Sequence, residues 1–235
     1  MRVVVTRPQS DSERTAATLH ARGHDVLVAP LMRVEPLTAD LAGGWGAVII
    51  TSANAVAAIV GNPARDTLVQ LPLFAVGHRS AEAARQAGFT NVTSAGGDVR
   101  DLVRTLIAQH ADANAPLLYL AGEDRAADLL GELSARGIAA EIRIVYRAIA
   151  AAFPPALIEA LKAGAVDAVI HFSRRSADSY RAGASQAGVS GPAMRVRHLC
   201  LSAQVAEPLA GASRIVIATR PDEAALLELL QAPLA

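Results

Sequence analysis

Apolar positions along the chain alternate between short continuous runs and helical spacing. Residues 2–6 form a β-branched run, and residues 8–22 then place their apolar side chains on one helical face before Gly23, a residue typical of helix ends. Strands that alternate with helices in this way predict parallel sheets covered by helices on both faces. After a second strand at 25–29, the strand, loop and helix unit returns at 47–60, 73–87, 92–109, 117–136, 168–181, 198–209 and 215–230.

The two halves of the chain resemble each other. The run GAVIITS at 46–52 returns as DAVIHFS at 167–173, and each copy ends at a serine, Ser52 or Ser173, before a helical stretch. Solenoid repeats have periods of roughly 20 to 50 residues, so a repeat this widely spaced indicates a duplicated domain instead. We therefore expect two similar lobes with a cleft between them.

Two segments interrupt the alternation of strands and helices. Residues 31–37 and residues 143–150 look like extended connectors, because no helix intervenes before them. If they pair, they form a two-stranded hinge, and the C-terminal half completes a lobe that residues 1–30 begin. The alternative is two sequential lobes divided near residues 110–115.

Composition limits the classes of function. Of the residues, 52% are hydrophobic and 19% charged, and the formal net charge is zero, so no global field recruits nucleic acid or an anionic membrane. Cys200 is the single cysteine and cannot form an internal disulfide; no export leader is evident, and no apolar run approaches the roughly 18 residues that span a bilayer. We expect a cytoplasmic protein that binds neither nucleic acid nor membranes and acts as a monomer.

Candidate ligand-binding residues lie where the predicted strands end. In parallel sheets, ligands bind outside the carboxyl ends of the strands, next to helix N-termini with free N–H groups. The side chains there are hydroxyl groups, small residues and arginines, which suit a ligand with several carboxylates or phosphates. The competing interpretation is that the serines and threonines only cap helices and the arginines only cover surface. The candidates include Arg7, Ser52, Asn54, Gly77, Ser80, Gly122, Arg125, Ser173 and Ser202.

Several familiar catalytic and cofactor motifs are absent from the sequence. It contains neither G-x-G-x-x-G nor G-x-x-x-x-G-K-[ST], its six histidines lack H-E-x-x-H spacing, and neither Ser52 nor Ser173 lies in a G-x-S-x-G motif. We therefore expect no metal, and the missing glycine fingerprint weakens the alternative of a nucleotide-dependent enzyme of the Rossmann type. His171 alternates into an apolar strand, where a packed role is favoured over a catalytic one. Tyr146 lies on the second connector, where its phenol could donate a hydrogen bond or a proton, or could simply pack.

Short motifs follow one another in a fixed order along the chain: VTRP at 5–8, ITSANAV at 50–56, AVG at 75–77, Ala121-Gly122 with Arg125, VYR at 145–147, and CLS at 200–202 with Val205-Ala206. Together they resemble the uroporphyrinogen-III synthase family over essentially the whole chain. The resemblance implies two Rossmann-like parallel-sheet lobes, joined by a two-stranded hinge, with the first β-α-β unit in the same lobe as the C-terminal half. Lobe 1 would comprise residues 1–33 and 149–235, lobe 2 residues 38–143, and the hinge residues 31–37 and 143–150.

The same resemblance implies a lyase of haem biosynthesis. Its substrate would be hydroxymethylbilane, a linear tetrapyrrole with eight carboxylates, which closes to uroporphyrinogen III with loss of water and inversion of the last pyrrole ring. No cofactor is implied, and the substrate closes spontaneously to the unreversed isomer. A different class of function remains open on the residues alone: a non-catalytic, two-lobed intracellular binder of a small polyanionic ligand.

The resemblance also assigns roles to individual residues. Tyr146 matches the family tyrosine thought to assist departure of the hydroxyl group, and Ser80 matches the hydroxyl residue after the Val-Gly turn. Ser52, Ser173 and Gly122 match strand-end positions near the substrate carboxylates. The sequence departs from the family at 202–205, where SAQV replaces a Gly-Pro-Ser/Thr-Thr pattern and Ser202 can only partly replace the missing hydroxyl contact.

Overall fold

A computed structural model describes residues 1–110, 115–124 and 128–231. The strands are β1 (Arg2–Val5), β2 (Asp25–Val28), β3 (Met32–Pro36), β4 (Ala47–Ile50), β5 (Leu73–Ala75), β6 (Val92–Ser94), β7 (Leu117–Gly122), β8 (Ala140–Ala150), β9 (Ala168–His171), β10 (Arg197–Cys200) and β11 (Arg214–Ile217). The α-helices are α1 (Gln9–Ala21), α2 (Ala53–Ala58), α3 (Arg65–Leu68), α4 (His78–Gln86), α5 (Val99–His110), α6 (Leu129–Ser134), α7 (Pro155–Lys162), α8 (Arg174–Gln186), α9 (Ser190–Arg195), α10 (Ala203–Ala206) and α11 (Glu223–Glu228).

The chain divides into two compact units. Met1–Arg33 and Ile149–Ala235 form unit 1, and Val34–Ala148 forms unit 2. Each unit carries one sheet with helices on both faces. The predicted α/β class with two parallel-dominated sheets is therefore confirmed.

The sheet of unit 1 has the order β11-β10-β9-β1-β2, and all of its pairs are parallel. Alternate residues of its strands face opposite helical layers. Val4, Val169 and Cys200 pack with helices α7 to α10. Val3 and Val5 pack instead with Leu19 of α1 and with helix α11. Burial on both faces explains why these strands read as continuous apolar runs.

The sheet of unit 2 has the order β3-β8-β7-β4-β5-β6, and β8 through β6 pair in parallel. Val48 and Ile50 pack with α2 and α4 on one face. Ile49 and Tyr119 pack with α5 and α6 on the other face. The carboxyl ends of β7, β4 and β5 consequently lie side by side at one edge of the sheet, and Tyr146 of β8 lies beside the end of β7.

Strands β3 and β8 pair along the two segments predicted as connectors. Leu37 N–H donates to the carbonyl of Val145 (2.7 Å) and Ala151 N–H to that of Leu31 (2.9 Å), an antiparallel arrangement. Arg147 binds Glu35 across this pair through Nε and Nη2 (2.7 and 2.6 Å). The connector at 143–150 continues directly from residues 140–142 as the single strand β8, in which no glycine or proline interrupts the run.

No helix in the described ranges is long and apolar enough to cross a membrane. The predicted stop of α1 at Gly23 is present, since Gly23 adopts a φ of +80°, which favours glycine. Pro155 occupies the first position of α7, where a proline loses no helical hydrogen bond.

Candidate functional site

The strand ends of unit 2 bring together most of the predicted site residues. Tyr146 lies on β8, Gly122 ends β7, Ser52 follows β4 and Gly77 follows β5, and these four strands are consecutive neighbours in the sheet. Arg125 lies outside the described residues.

A β-bulge in β8 sets the direction of Tyr146. Ala121 of β7 pairs with Ile144, but Gly122 pairs with Tyr146, so Val145 is an extra residue in β8. Ile144 packs on the face covered by α5 and α6. Val145 and Tyr146 both pack on the face covered by α2 and α4. Bulges re-aim side chains in this way and are enriched next to active sites.

Gly122 gives the tyrosine ring its space. A Cβ atom at residue 122 would lie 2.6 Å from Cζ and 2.8 Å from the hydroxyl oxygen of Tyr146. The backbone N–H of Glu123 donates to the Tyr146 carbonyl (3.0 Å), which continues the pairing past the bulge. Ring and backbone are therefore in direct contact at the strand ends.

The serine and glycine positions cap helices on the same face as Tyr146. Ser52 is the N-cap of α2, and its Oγ accepts from the backbone N–H of Asn54 (3.2 Å). Gly77 is the N-cap of α4, with no atom within 4 Å of a built Cβ, so its backbone is open to close approach. Ser80 lies inside the first turn of α4 and is only 8% exposed, less accessible than its position after the Val-Gly turn suggested.

The pattern of residues did not single out Tyr119, which contacts the strand-end residue Thr51. The Tyr119 hydroxyl and Thr51 Oγ1 are 3.1 Å apart at the ends of the neighbouring strands β7 and β4. A tyrosine within the otherwise aliphatic run Leu117 to Leu120 was the available signal. This bond ties the strand-end hydroxyl group of Thr51 to the sheet.

In unit 1, Ser173 and Ser202 begin helices at the carboxyl ends of β9 and β10. Ser173 is the N-cap of α8; its Oγ accepts from the N–H of Ser176 (3.1 Å) and donates to the Ser176 hydroxyl (2.9 Å). Ser202 is the N-cap of α10 but makes no side-chain capping bond. Ser52 and Ser173 thus occupy equivalent places in the two halves, as the repeat indicated.

Arg7 lies at the same edge of unit 1 but is held by acidic neighbours. Its Nη1 donates to Glu223 Oε2 at the start of α11 (3.3 Å), and its Nη2 is 3.8 Å from Asp11. The guanidinium also lies over the ring of Phe172, 4.2 Å from the centroid, a cation–π geometry. Glu223 accepts a second bond from Thr15 Oγ1 (2.7 Å). Arg7 therefore belongs to the α1 and α11 side of the sheet, whereas Ser173 and Ser202 cap helices on the other side.

His171 is packed, as the alternation of its strand predicts. It is fully buried in unit 1, with Nε2 3.1 Å from Nδ1 of His198, and Tyr180 lies edge-on to both rings. Burial, with a smaller contribution from His198, lowers the pKa of His171 well below its ordinary value. Burial lowers the pKa of His198 to about 4. Both rings are therefore neutral at pH 7 and form part of the core.

Within residues 1–110, 115–124 and 128–231, no group of three or more His, Cys, Asp or Glu side chains is arranged to hold a metal ion. Burial raises the pKa of the Cys200 thiol to about 12, so the thiol stays protonated near neutral pH. The chemistry available at the strand ends is that of hydroxyl groups, backbone N–H groups, a phenol and guanidinium groups.

The sequence matches a known protein family over most of its length. The family described as "Uroporphyrinogen-III synthase HemD" matches residues 13–228, which is most of the chain. No curated protein sequence matches significantly.

Solved structures resemble the chain along its whole length. A uroporphyrinogen-III synthetase from Helicobacter pylori has a TM-score of 0.65 and 20% identity, covering 98% of this chain and 99% of that one. A mutant uroporphyrinogen III synthase from Thermus thermophilus has a TM-score of 0.48 and 17% identity, with coverages of 98% and 97%. At this identity the Helicobacter pylori structure supports the fold alone.

Proposed function

The chain belongs to the uroporphyrinogen-III synthase family, and on that premise we propose that it closes hydroxymethylbilane to uroporphyrinogen III. The reaction loses water and inverts the last pyrrole ring, which makes the protein a hydro-lyase of haem biosynthesis. The observation that carries the proposal is the family match over residues 13–228. The strand-end geometry supports the roles assigned to individual residues.

Tyr146 is the proposed proton or hydrogen-bond donor to the departing hydroxyl group. The bulge at Val145 directs its side chain to the face that also carries the N-caps Ser52 and Gly77. Departure of hydroxide as water needs one proton, which a phenol can supply or relay. Phenols are weak acids at neutral pH, so this contribution to the rate is modest.

The substrate carboxylates are proposed to bind at the helix starts behind the strand ends. Helices α4 and α8 present their first N–H groups there, after Gly77 and Ser173, and helix N-termini favour anions. Ser52, Asn54, Ser80, Gly122, Arg125 and Ser202 complete the proposed substrate-binding set. Of these, Ser80 would act through its backbone or after a small local movement, since its side chain is buried.

Arg7 is proposed to exchange partners on substrate binding. Its guanidinium is already paired with Glu223 and Asp11, so a substrate carboxylate has to displace at least one of them. Arg7 then contributes less to the free energy of substrate binding than an unpaired arginine would, because its ion pair with an acidic neighbour is lost when the substrate binds.

The proposed catalysis depends on geometry more than on reactive groups. The substrate closes without help to the unreversed isomer, so the protein has to hold the chain in the arrangement that leads to inversion. Fixing reacting groups in a near-attack arrangement lowers barriers by up to roughly 7 to 11 kcal/mol. We propose that this happens without a metal or cofactor.

Three further points belong to the same proposal. The segments 31–37 and 143–150 act as a hinge between lobe 1 (1–33 and 149–235) and lobe 2 (38–143). The protein works in the cytoplasm, in keeping with its single, buried Cys200. It acts as a monomer and binds neither nucleic acid nor membranes.

The product isomer tests the proposed function. Hydroxymethylbilane is generated in situ from porphobilinogen, the chain is added, and the oxidised porphyrins are separated chromatographically. Isomer III above the level without protein supports the synthase. Isomer I alone, even with measurable ligand binding, would support the non-catalytic polyanion binder instead.

A further inference from the structure

A pocket of about 350 Å³ lies at the opposite edge of unit 1 from the strand-end residues. Asp167 precedes β9, and Arg197 and Arg214 begin β10 and β11, so these residues mark the amino ends of three strands. The pocket has no part in the proposed synthase site, because Arg7, Ser173 and Ser202 all follow carboxyl ends of the same sheet.

The lining of the pocket is strongly cationic. The basic residues of the lining are Lys162, Arg195, Arg197 and Arg214, of which Arg214 is already engaged within the protein, and its acidic residue is Asp167. The whole chain has a formal net charge of zero, so this is a local concentration of positive charge rather than a general property. The Asp167 carboxylate is engaged elsewhere, since its Oδ2 accepts from the backbone N–H of Arg2 (2.7 Å).

Arg197 supplies the second, independent observation. The residue is 8% exposed, and its Nη2 donates to the carbonyl of Leu229 (2.8 Å). Its Nη1 is buried without a hydrogen-bond partner, and no carboxylate in the described part of the chain pairs with it. A buried guanidinium without a counter-charge is unfavourable, because burial removes its hydration and, among the described residues, no anion replaces the lost interaction.

The remaining lining explains how a ligand could be held. Four apolar side chains, Leu161, Val166, Pro192 and Val196, share the lining with the charged groups. Apolar walls lower the local dielectric and strengthen attraction between a guanidinium and an anion. A guanidinium group can also donate two parallel hydrogen bonds to two oxygens of one carboxylate or phosphate.

We propose that this pocket is a binding site for a compact polyanion, a phosphate or a small di- or tricarboxylate. The volume is at the lower end of the range of small-molecule sites and is too small for a tetrapyrrole substrate. The negative charge of the ligand offsets that of the buried Arg197 through their electrostatic interaction, and the exposed side chains of Lys162 and Arg195 bind the ligand directly. Lys162 is only loosely committed, with Nζ 3.3 Å from Glu159 and more than half of its side chain exposed.

Calorimetric titration of the full chain tests the site, with inorganic phosphate and citrate as separate probes at an ionic strength fixed with sodium chloride. We expect saturable binding of at least one probe. The tighter probe identifies the ligand chemistry. The variant Lys162→Gln/Arg195→Gln should raise its Kd at least about tenfold, which corresponds to 1.4 kcal/mol. The matched control Arg22→Gln, an exposed arginine of the same unit outside the pocket, should stay within about twofold of the original value.

Arg197→Met gives a second measurement. In this variant, the bound probe should no longer raise the midpoint temperature of thermal unfolding. If Arg197→Met does not fold, the titration of Lys162→Gln/Arg195→Gln decides alone. No saturable binding overturns the proposal. So does binding that the pocket variants leave unchanged, or binding lost only in Arg7→Gln, which would place the anion at the strand ends. The readout is anion binding rather than porphyrin formation, so this proposal and the proposed function can fail separately.

Discussion

The ring of Tyr146 lies against the backbone of Gly122, in space that any side chain at residue 122 would occupy. Their strands pair in parallel, and the extra residue Val145 brings the two positions opposite each other. Two separate features thus position the tyrosine. The bulge in β8 sets the direction of its side chain, and the glycine at the end of β7 leaves space for its ring.

Gly122→Ala should displace the tyrosine ring. The new Cβ would lie 2.6 to 2.8 Å from two ring carbons and the hydroxyl oxygen of Tyr146, and overpacking of this kind typically destabilises by about 1 to 3 kcal/mol. We expect a fall in turnover together with a lower free energy of unfolding, measured by product assay and urea titration. Gly44→Ala is the control, because no atom lies within 4 Å of its built Cβ. Equal behaviour of the two variants would contradict the packing relationship.

Tyr146→Phe should lower turnover while stability stays close to the original. Removing a weak acid or hydrogen-bond donor is expected to reduce kcat by about tenfold to a hundredfold, at or below the low end of general acid–base contributions. Tyr180→Phe is the matched control, for which we expect a change in stability and none in turnover. It removes the bond from the Tyr180 hydroxyl to the carbonyl of Ala193 (3.1 Å) and should cost about 1 kcal/mol of stability without a change in turnover. Undiminished isomer III formation by Tyr146→Phe would remove that phenol from the mechanism.

Glu223→Gln should strengthen substrate capture if Arg7 binds a substrate carboxylate. The change weakens the pair that holds Arg7 in the free protein, so KM should fall several-fold. Arg7→Ala should raise KM by about tenfold, because a charge-assisted hydrogen bond is lost. Steady-state measurements at low salt compare the variants. If both variants lose stability and neither changes KM, the Arg7 and Glu223 pair is structural only.

The buried histidine pair predicts a loss of stability in mild acid. Histidine in the unfolded chain takes up its proton near pH 6.5. The folded pKa of His198 is about 4 and that of His171 is also lowered, so the unfolded state binds more protons in this interval. The stability contributed by the neutral pair is present above about pH 6.5 and is lost as pH falls. The free energy of unfolding should decrease by up to about 1.4 kcal/mol per pH unit for each histidine.

Urea titrations between pH 7.5 and pH 4.5 measure this slope. A flatter dependence is expected for His171→Gln, whereas His20→Gln, which changes an exposed ring, should keep the original slope. If His171→Gln leaves the slope intact, the acid sensitivity arises elsewhere.

The sequence predicted the helix caps because they depend on local chemistry. Ser52 and Ser173 end apolar runs before helical stretches, and a serine there satisfies an N–H group of the first turn whatever surrounds it. The alternation of strands and helices likewise predicted the two parallel-dominated sheets.

Relationships that arise only on folding could not be predicted in the same way. The direction of Tyr146 depends on the shift in register between β8 and β7. Regular alternation along β8 would have placed the Tyr146 side chain on the opposite face of the sheet, with that of Ile144. The engagement of Arg7 by Glu223 joins residues separated by nearly the whole chain. The bond between Thr51 and Tyr119 requires β4 and β7 to be neighbours.

The isomer composition formed by the purified chain tests the central claim most directly. Protein dialysed against EDTA is mixed with hydroxymethylbilane at several enzyme concentrations, and the ratio of isomer III to isomer I is measured against spontaneous closure. The account predicts that this ratio rises with enzyme concentration until isomer III predominates, without any added metal or cofactor. A ratio that stays at the level of spontaneous closure at every enzyme concentration would contradict it.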